Sequence, residues 1–458
     1  MKYSRKDVEC KTHALPRLRF ENQRLTSFAG LVLLIPFFRG LRLREALAGC
    51  FRQVRRGKIY SRATLFLQLV LHLLLGFREL RDRDSYRDDP MILRLLGVRR
   101  LPDVATLSRM LQQADADTNA RLRRLLARLV IDRLCSLGLR RVTLDFDGTV
   151  QSTSRRAEGT AVGFNRKKKG ARSYYPLFCT VAQTGQAFDV LHRSGNVHDS
   201  HGAREFMLDC VRTVRSALPH LIIEIRADSA FFSDELVSAL HREKVEFTIS
   251  VPFERFVELK GMVEGRRSWT PIDQDRCYFA RSWSPKSWDR CHRFIFIRKR
   301  VRVQRKGPVQ LDLFEPYEEG FDFKVIVTNR TVEAGAVATF HEGRGSQEGI
   351  FGELKTQCAL GHVPVRRREG NQMYLLAGLF AHNLMREWQM WLREPVRGTT
   401  PGRAALWAFE KIETIRMTLL YRAGRFTRPS GILTLTVAGD ATTRAGFLTA
   451  LRCLAPAA

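Results

Sequence analysis

The spacing of apolar positions changes character near residue 140. Over residues 1–139 apolar side chains recur at helical steps or form runs too long for a typical strand. Residues 28–38 (FAGLVLLIPFF) carry Pro36 and are too short to cross a bilayer, so they are expected to form a buried helix. Residues 65–75 are almost wholly apolar and lack turn residues, which also predicts a helix. Over residues 122–137, Leu122, Leu125, Leu126, Leu129, Val130, Leu134 and Leu137 recur at three- and four-residue steps. Arg123, Arg124 and Arg128 fall off that stripe. Between these helices, Pro102 and Asp103 offer a helix start, and Thr106, Ser108 and Arg109 are placed to face phosphate. A helix-turn-helix and a plain helical hairpin both fit this stretch, and Arg109 is a candidate DNA contact.

From residue 141 the period becomes that of strands. Residues 141–147 (RVTLDFD) alternate, and residues 174–182 and 186–192 flank Gln183-Thr184-Gly185, a hairpin turn signal. Residues 201–217 have helical spacing. Residues 221–228 (LIIEIRAD) are apolar enough for a central strand, 234–244 read as a helix and 245–251 as a strand. Residues 254–322 break the rhythm. They hold Trp269, Trp283 and Trp288, half of the 6 tryptophans, and the alternating run 293–303 (RFIFIRKRVRV), expected as a hairpin strand with one basic face. A buried strand at 323–329, a helix at 342–356 and a strongly apolar helix at 374–391 follow.

The pattern predicts an α+β, mixed α/β protein in which helices pack on a mixed sheet. Its expected parts are a helical N-terminal DNA-binding region (1–139), the first part of a core (140–253), a β-rich insertion (254–322), the second part of the core (323–395) and a C-terminal tail (396–458).

Charge narrows the function. The 458 residues carry 77 Lys and Arg against 47 Asp and Glu, a formal net charge of +30 at pH 7. A surplus of that size calls for a polyanionic partner, and nucleic acid is the expected one. A membrane-surface role is disfavoured, because no amphipathic helix divides cleanly into basic and aromatic faces. The 9 cysteines are odd in number and none forms Cys-x-x-Cys, against a disulfide framework or a zinc ribbon. Cys277, Cys291 and His292 lie near one another in sequence but lack a paired ligand set, so a metal site there is disfavoured. Met1 opens a polar, charged run and not a secretory signal, and the protein is expected in the cytoplasm.

Three carboxylates stand where active groups would be presented. Asp147 ends the first strand before Gly148-Thr149, and Asp228 ends a central strand before Ser229-Ala230. Such acids are costly to bury without a partner. A divalent cation is a natural one, because Mg²⁺ takes oxygen ligands from one or two carboxylates and substrate phosphate. Later, Arg344, Glu348 and Lys355 are spaced so that a helix puts them on one face, an acid flanked by two phosphate-binding cations. Singly, each is better explained as a turn residue, a cap or a solvated charge. Together, in one mixed-sheet domain of a basic protein, they point to metal-dependent chemistry on DNA. Asp145 lies on the same side of its strand as Asp147 and is a further candidate acid.

These stretches also resemble the DDE transposases of bacterial insertion sequences, whose catalytic domain is ribonuclease H-like. The similarity rests on Leu144-Asp-Phe-Asp-Gly-Thr149, Arg226-Ala-Asp-Ser-Ala-Phe-Phe232 and Arg344-Gly-Ser-Gln-Glu-Gly-Ile-Phe-Gly-Glu-Leu-Lys355. It continues through Tyr174-Tyr-Pro-Leu177, Arg193-Ser-Gly-Asn-Val-His198 and Ala381-His-Asn-Leu-Met-Arg386, and spans about residues 25 to 390. The resemblance implies Asp147, Asp228 and Glu348 as catalytic, metal-binding acids; Asp147 is preferred over Asp145 for its place at the strand end and its Asp-x-Thr form, and Asp145 either assists or is simply buried and hydrogen-bonded. It also implies one or two Mg²⁺ or Mn²⁺ ions, two being expected, and an insertion before the Glu. The related branch carries Tyr-x2-Arg-x3-Glu-x6-Lys, and the Tyr position is His341 here, expected to contact DNA with altered handling of the cut end. Arg344 and Lys355 would bind DNA; Trp283 or Trp288 could stack on an extruded base, although core packing is slightly favoured for each of the two.

The expected activity is transposition: phosphodiester hydrolysis and transesterification on element ends and target DNA, by at least a homodimer in the active complex. A nuclease of the same fold that does not join strands, and a non-catalytic DNA-binding derivative of a transposase, are the alternatives.

Overall fold

The computed structural model describes residues 17–21, 23–54, 57, 59–163, 165, 168–198, 200–301 and 320–454. Helix α1 (Leu34–Gly40) follows a 3-10 turn over Ala29–Leu33, and together they form the buried helical segment expected there. Helix α2 (Arg62–Leu74) starts at Ser61, whose side chain accepts from the Thr64 N–H. Every residue from Leu65 to Leu74 is buried, as expected for a helix apolar all round. Asp103 caps α3 (Val104–Gln112) and Asp115 caps α4 (Ala116–Leu137), each accepting from the backbone three residues on. Gly138 ends α4 with φ 57, a left-handed conformation that glycine adopts without a Cβ clash.

The sheet is built from β1 (Arg141–Gly148), β2 (Leu177–Val181), β3 (Gln186–Leu191), β4 (Ile222–Ala227), β5 (Glu246–Val251), β6 (Thr270–Pro271), β7 (Arg276–Trp283), β8 (His292–Arg300) and β9 (Phe321–Thr328). Helix α5 (Ala203–Ala217) lies between β3 and β4, and α6 (Asp234–Arg242) between β4 and β5. The 9 strands run in the order β6-β7-β8-β9-β5-β4-β1-β2-β3. Strands β1, β2 and β3 pair antiparallel, whereas β4 is parallel to both β1 and β5. An antiparallel meander followed by two parallel strands is the ribonuclease H-like arrangement that the resemblance implies. The chain then runs through α7 (Ala334–Glu342), a 3-10 turn at Gly343–Gly345, α8 (Ser346–Gln357), α9 (Arg368–Leu392) and α10 (Ala441–Leu454).

The strands expected in the β-rich insertion are continuous with the core sheet. Strand β8 pairs with β9, and β9 with β5, so the strands within 254–322 extend the core sheet. Phe279, Phe294 and Phe296 accordingly share one apolar cluster with Leu144, Phe146 and Ile225. The basic face expected for 293–303 is also absent from the described part of that run. Phe294 to Ile297 are buried on both faces, with Ile295 and Ile297 against Val337 and Ala338 of α7, so the cations are displaced to the strand ends. Residues 302 and 303 of that run lie outside the described residues.

The helical layer also ignores the expected boundaries. One core joins Leu69 and Leu73 of α2 with Leu375 and Leu379 of α9, and with Ile412, Leu420 and Leu454 near the C-terminus. The short strand Leu25–Thr26 pairs with Gly424–Thr427. The described part of the C-terminal segment, residues 396–454, thus packs into the helical layer. No helix among the described residues is long and apolar enough to cross a membrane.

Candidate active site

Strands β1 and β4 are adjacent and parallel, with Asp145 opposite Arg226 and Phe146 opposite Ala227. Alternate residues of a strand share a face. One face presents Val142, Leu144 and Phe146 beside Ile223, Ile225 and Ala227, all in the apolar core. The other face is a ladder of polar pairs. On the first rung the Thr143 hydroxyl donates to Glu224 at 2.7 Å. On the second, Arg226 Nε and Nη2 donate to the two Asp145 oxygens at 2.6 and 2.7 Å. On the third, at the C-terminal ends of both strands, stand Asp147 and Asp228. The last pair of the ladder is Phe146 with Ala227, so Asp147 and Asp228 each follow it by one residue.

The lower rungs are fully supported. Arg403 also holds Glu224, at 3.0 Å, and Arg226 donates a further hydrogen bond to the Gly402 carbonyl at 2.7 Å. Burial pushes the Asp145 carboxyl above its ordinary range, and the Arg226 guanidinium opposes that rise. With both oxygens engaged and the residue buried, Asp145 is not presented to a metal ion, which corrects its candidacy as a ligand.

The upper rung is more open. Asp147 Oδ1 accepts from the Gly148 N–H at 2.8 Å, and Oδ2 faces Arg344 Nη1 at 3.4 Å. Asp228 is extended (φ −84°, ψ −177°) and accepts from the Ala230 N–H at 2.9 Å, capping the 3-10 turn Ser229–Phe231. The capping role expected of an isolated Asp is therefore real, and it fixes the carboxylate at the strand end.

The second wall comes from the junction of α7 and α8. A Cβ on Gly343 would lie 1.9 Å from the Gly402 carbonyl and 2.2 Å from Arg226 Nη1, so only glycine lets this turn approach the ladder. Gln347, buried, donates to the Asp145 carbonyl at 3.0 Å and pins the first turn of α8 to β1. Arg344 is thereby set against Asp147. Glu348 is exposed and makes no hydrogen bond or ion pair among the described residues. It stands four residues beyond Arg344, about 6 Å of helix rise. Further along the same helix, exposed Lys355 lines a cleft of about 1210 Å³ together with Gly148, Thr149, Asp228, Lys168 and Arg255.

Other expected contacts fall elsewhere. His341 is fully buried, with Nε2 against the Ser250 hydroxyl at 2.8 Å and Nδ1 against that of Thr248 at 2.9 Å. Burial, with nearby Lys324, Arg344 and Arg226, holds it well below the usual histidine range. It therefore packs the helix junction with both ring nitrogens engaged inside the protein, which corrects its expected placement at the surface. Trp288 stacks on Phe232, with ring centroids 4.7 Å apart, and Trp283 meets Phe256 and Phe294 edge-on. Trp288 buttresses the turn after Asp228 through Phe232, and Trp283 packs behind it on Phe256, which meets Phe232 edge-on. Arg109 is exposed on α3, bonded to Thr106, and is not part of the cleft wall. Pairing of Trp283 with His292 and of Cys277 with Arg298 separates Cys277 from His292 by about 20 Å of strand, too far to share a metal.

Three carboxylates provide the hard oxygen donors that Mg²⁺ or Mn²⁺ takes, and two of them stand on neighbouring strand ends, so the donor chemistry fits a divalent ion. Among the described residues no three His, Cys, Asp or Glu side chains are gathered closely enough to hold one. Arg226 and the basic wall of Lys168 and Arg255 were not singled out from the sequence. The period-two match of Arg226-x-Asp228 with Asp145-x-Asp147 was the available signal for Arg226.

A mixed sheet with an acid pair at its central strand ends, beside a basic cleft, defines a protein built for phosphodiester chemistry on a polyanion. The chain belongs to the DDE transposases: the family described as transposase DDE domain group 1 matches residues 12–458. Membership implies DNA cleavage and transesterification in general, with divalent metal ions in general. Among curated proteins none matches the chain. Solved structures give distant likenesses. A piggyBac transposase synaptic complex with hairpin DNA is 11% identical, covering 86% of this chain and 80% of that one, with a TM-score of 0.39. A pre-cleavage Mos1 transpososome is 12% identical, covering 42% of this chain and 60% of that one, with a TM-score of 0.17.

Proposed function

We propose that this transposase cuts and joins DNA at Asp147, Asp228 and Glu348. The observation that carries the reading is the third rung of the β1–β4 ladder. Below it Arg226 pairs with Asp145 across the strands, whereas one residue past the last paired rung each strand carries a carboxylate, Asp147 facing Arg344 and Asp228 in the wall of a cleft that Lys168, Arg255 and Lys355 also line. Like charges so placed cost free energy unless cations join them. Divalent ions bound there would activate the attacking oxygen and stabilise the leaving oxygen of an in-line displacement.

The chain's own groups do the rest. Asp147 and Asp228 offer oxygen ligands from backbone positions fixed by the sheet. Glu348, next to the pinned Gln347 on the first turn of α8, would supply the third carboxylate. Arg344 gains a phosphate as a second anion beside Asp147, and Lys355, Lys168 and Arg255 neutralise flanking phosphates in the cleft. Water attacks a phosphodiester at the element end and frees a 3′ hydroxyl, which then attacks the target strand without a covalent enzyme intermediate. Processing two ends calls for at least a homodimer.

The test is Asp147→Ala, Asp228→Ala and Glu348→Ala, assayed on a plasmid carrying the element's own ends. Cleavage and joining are lost in each while duplex binding is kept. Cleavage that persists in all three variants overturns the site. Products joined to a second duplex distinguish a transposase from a nuclease that stops at cutting.

A further inference from the structure

We propose that Lys324 is a further substrate contact of this site, donating to a phosphate oxygen at or next to the bond being cut. The inference rests on the acid site above and adds to it a residue that the sequence did not mark. Strand β9 runs antiparallel to β5 with Val325 opposite Val251, so Lys324 is level with Pro252, which lines the cleft together with Asp228. Lys324 and Ile326 share a face of β9, and Ile326 packs on Val337 and Ala338 of α7. That is the side of the sheet on which Thr248 and Ser250 hold His341 and on which Arg344 follows. Lys324 therefore stands at the rim of the ladder's polar face, in electrostatic reach of Asp228, Glu342 and Arg344.

Its surroundings differ from those of the neighbouring buried cations. Arg226 is held by Asp145, and both Arg330 and Arg403 pair with Glu224. Lys324 is partly buried yet makes no hydrogen bond or ion pair among the described residues. A desolvated ammonium without a bonded anion is costly. Burial and the nearby Arg344 lower its amine to about 8, while Glu342 and Asp228 pull the other way. Two cations, Lys324 and Arg344, thus border one side of the acids, and an anion between them relieves both. In a DNA-processing cleft that anion is a backbone phosphate.

Lys324→Gln, Lys324→Arg and Asp228→Ala test this in the full chain, with cleavage of the end-bearing plasmid under saturating enzyme and affinity for a mixed-sequence duplex. Lys324→Gln is expected to slow cleavage about 10- to 100-fold, the worth of one charge-assisted hydrogen bond, with little change in duplex affinity. Lys324→Arg should retain most of the rate. The wild-type kcat/KM should fall as pH rises through about 8, and this edge should move to higher pH in Lys324→Arg. Wild-type cleavage by Lys324→Gln, with Asp228→Ala inactive, overturns the role of Lys324 and leaves the acid site standing. Activity of Asp228→Ala overturns the acid site itself. If Lys324→Gln melts early, the pH edge of Lys324→Arg decides: a shifted edge supports the contact and an unshifted one overturns it.

Discussion

Asp145 and Arg226 face each other across two parallel strands, with both carboxylate oxygens held by one guanidinium at 2.6 and 2.7 Å. This pair, one rung below the candidate acids, is a structural support. Breaking it strands a buried charge, so Asp145→Ala or Arg226→Ala is expected to lower stability by about 3–5 kcal/mol. The double variant should lose less than the sum of the two. Urea unfolding of all three checks this. Additive losses would mean that the two residues are not coupled.

Cations on α8 should set the electrostatics of DNA binding. Removing one phosphate contact lowers the slope of log affinity against log salt by about 0.9. Lys355→Ala and Arg344→Ala should each do so for a mixed-sequence duplex. Arg109→Ala, remote from the cleft wall, should leave affinity for the cut strand unchanged. Fluorescence anisotropy over a salt series gives the slopes.

Trp288 packs on Phe232 beside the turn that fixes Asp228. Trp288→Leu should reduce cleavage while duplex affinity stays at the wild-type level, because the turn loosens and no base contact is lost. A drop in affinity with unchanged stability would instead make the indole a DNA contact.

Acid should unfold the protein through its buried histidines. Burial lowers His72 to about 4 and His192 to about 3, from an ordinary 6.5. Between the lowered and the ordinary value the unfolded chain binds more protons, so stability falls as pH drops. It is fully present above about 6.5 and declines toward pH 4, on the order of 3 kcal/mol for His72. Urea midpoints between pH 7 and about 4 should show this loss, and His72→Leu should flatten it.

Much of the architecture was legible in the sequence because it is written in local periodicity. Residues 65–75 could bury an apolar cylinder only as a helix, and 221–228 had the density of a central strand. The motif acids were legible through their place at strand ends. What was not legible depends on pairing between distant segments. Nothing local in 293–303 says that α7 will cover one face of that strand, so its alternation read as a basic face when its centre is buried on both sides.

The sequence by itself determined the element types, the charge of +30 and the family motifs, since these follow from side-chain spacing and composition. Only the tertiary structure decided which acid is spoken for. Asp145 and Asp147 are alike in sequence, two residues apart on one face. The register of β1 against β4 places Arg226 opposite Asp145 and has its last pair at Phe146 and Ala227, one residue before Asp147 and Asp228. Strand register is a long-range property, fixed by the packing of both sheet faces, and it separates the buried ion pair from the candidate acid site.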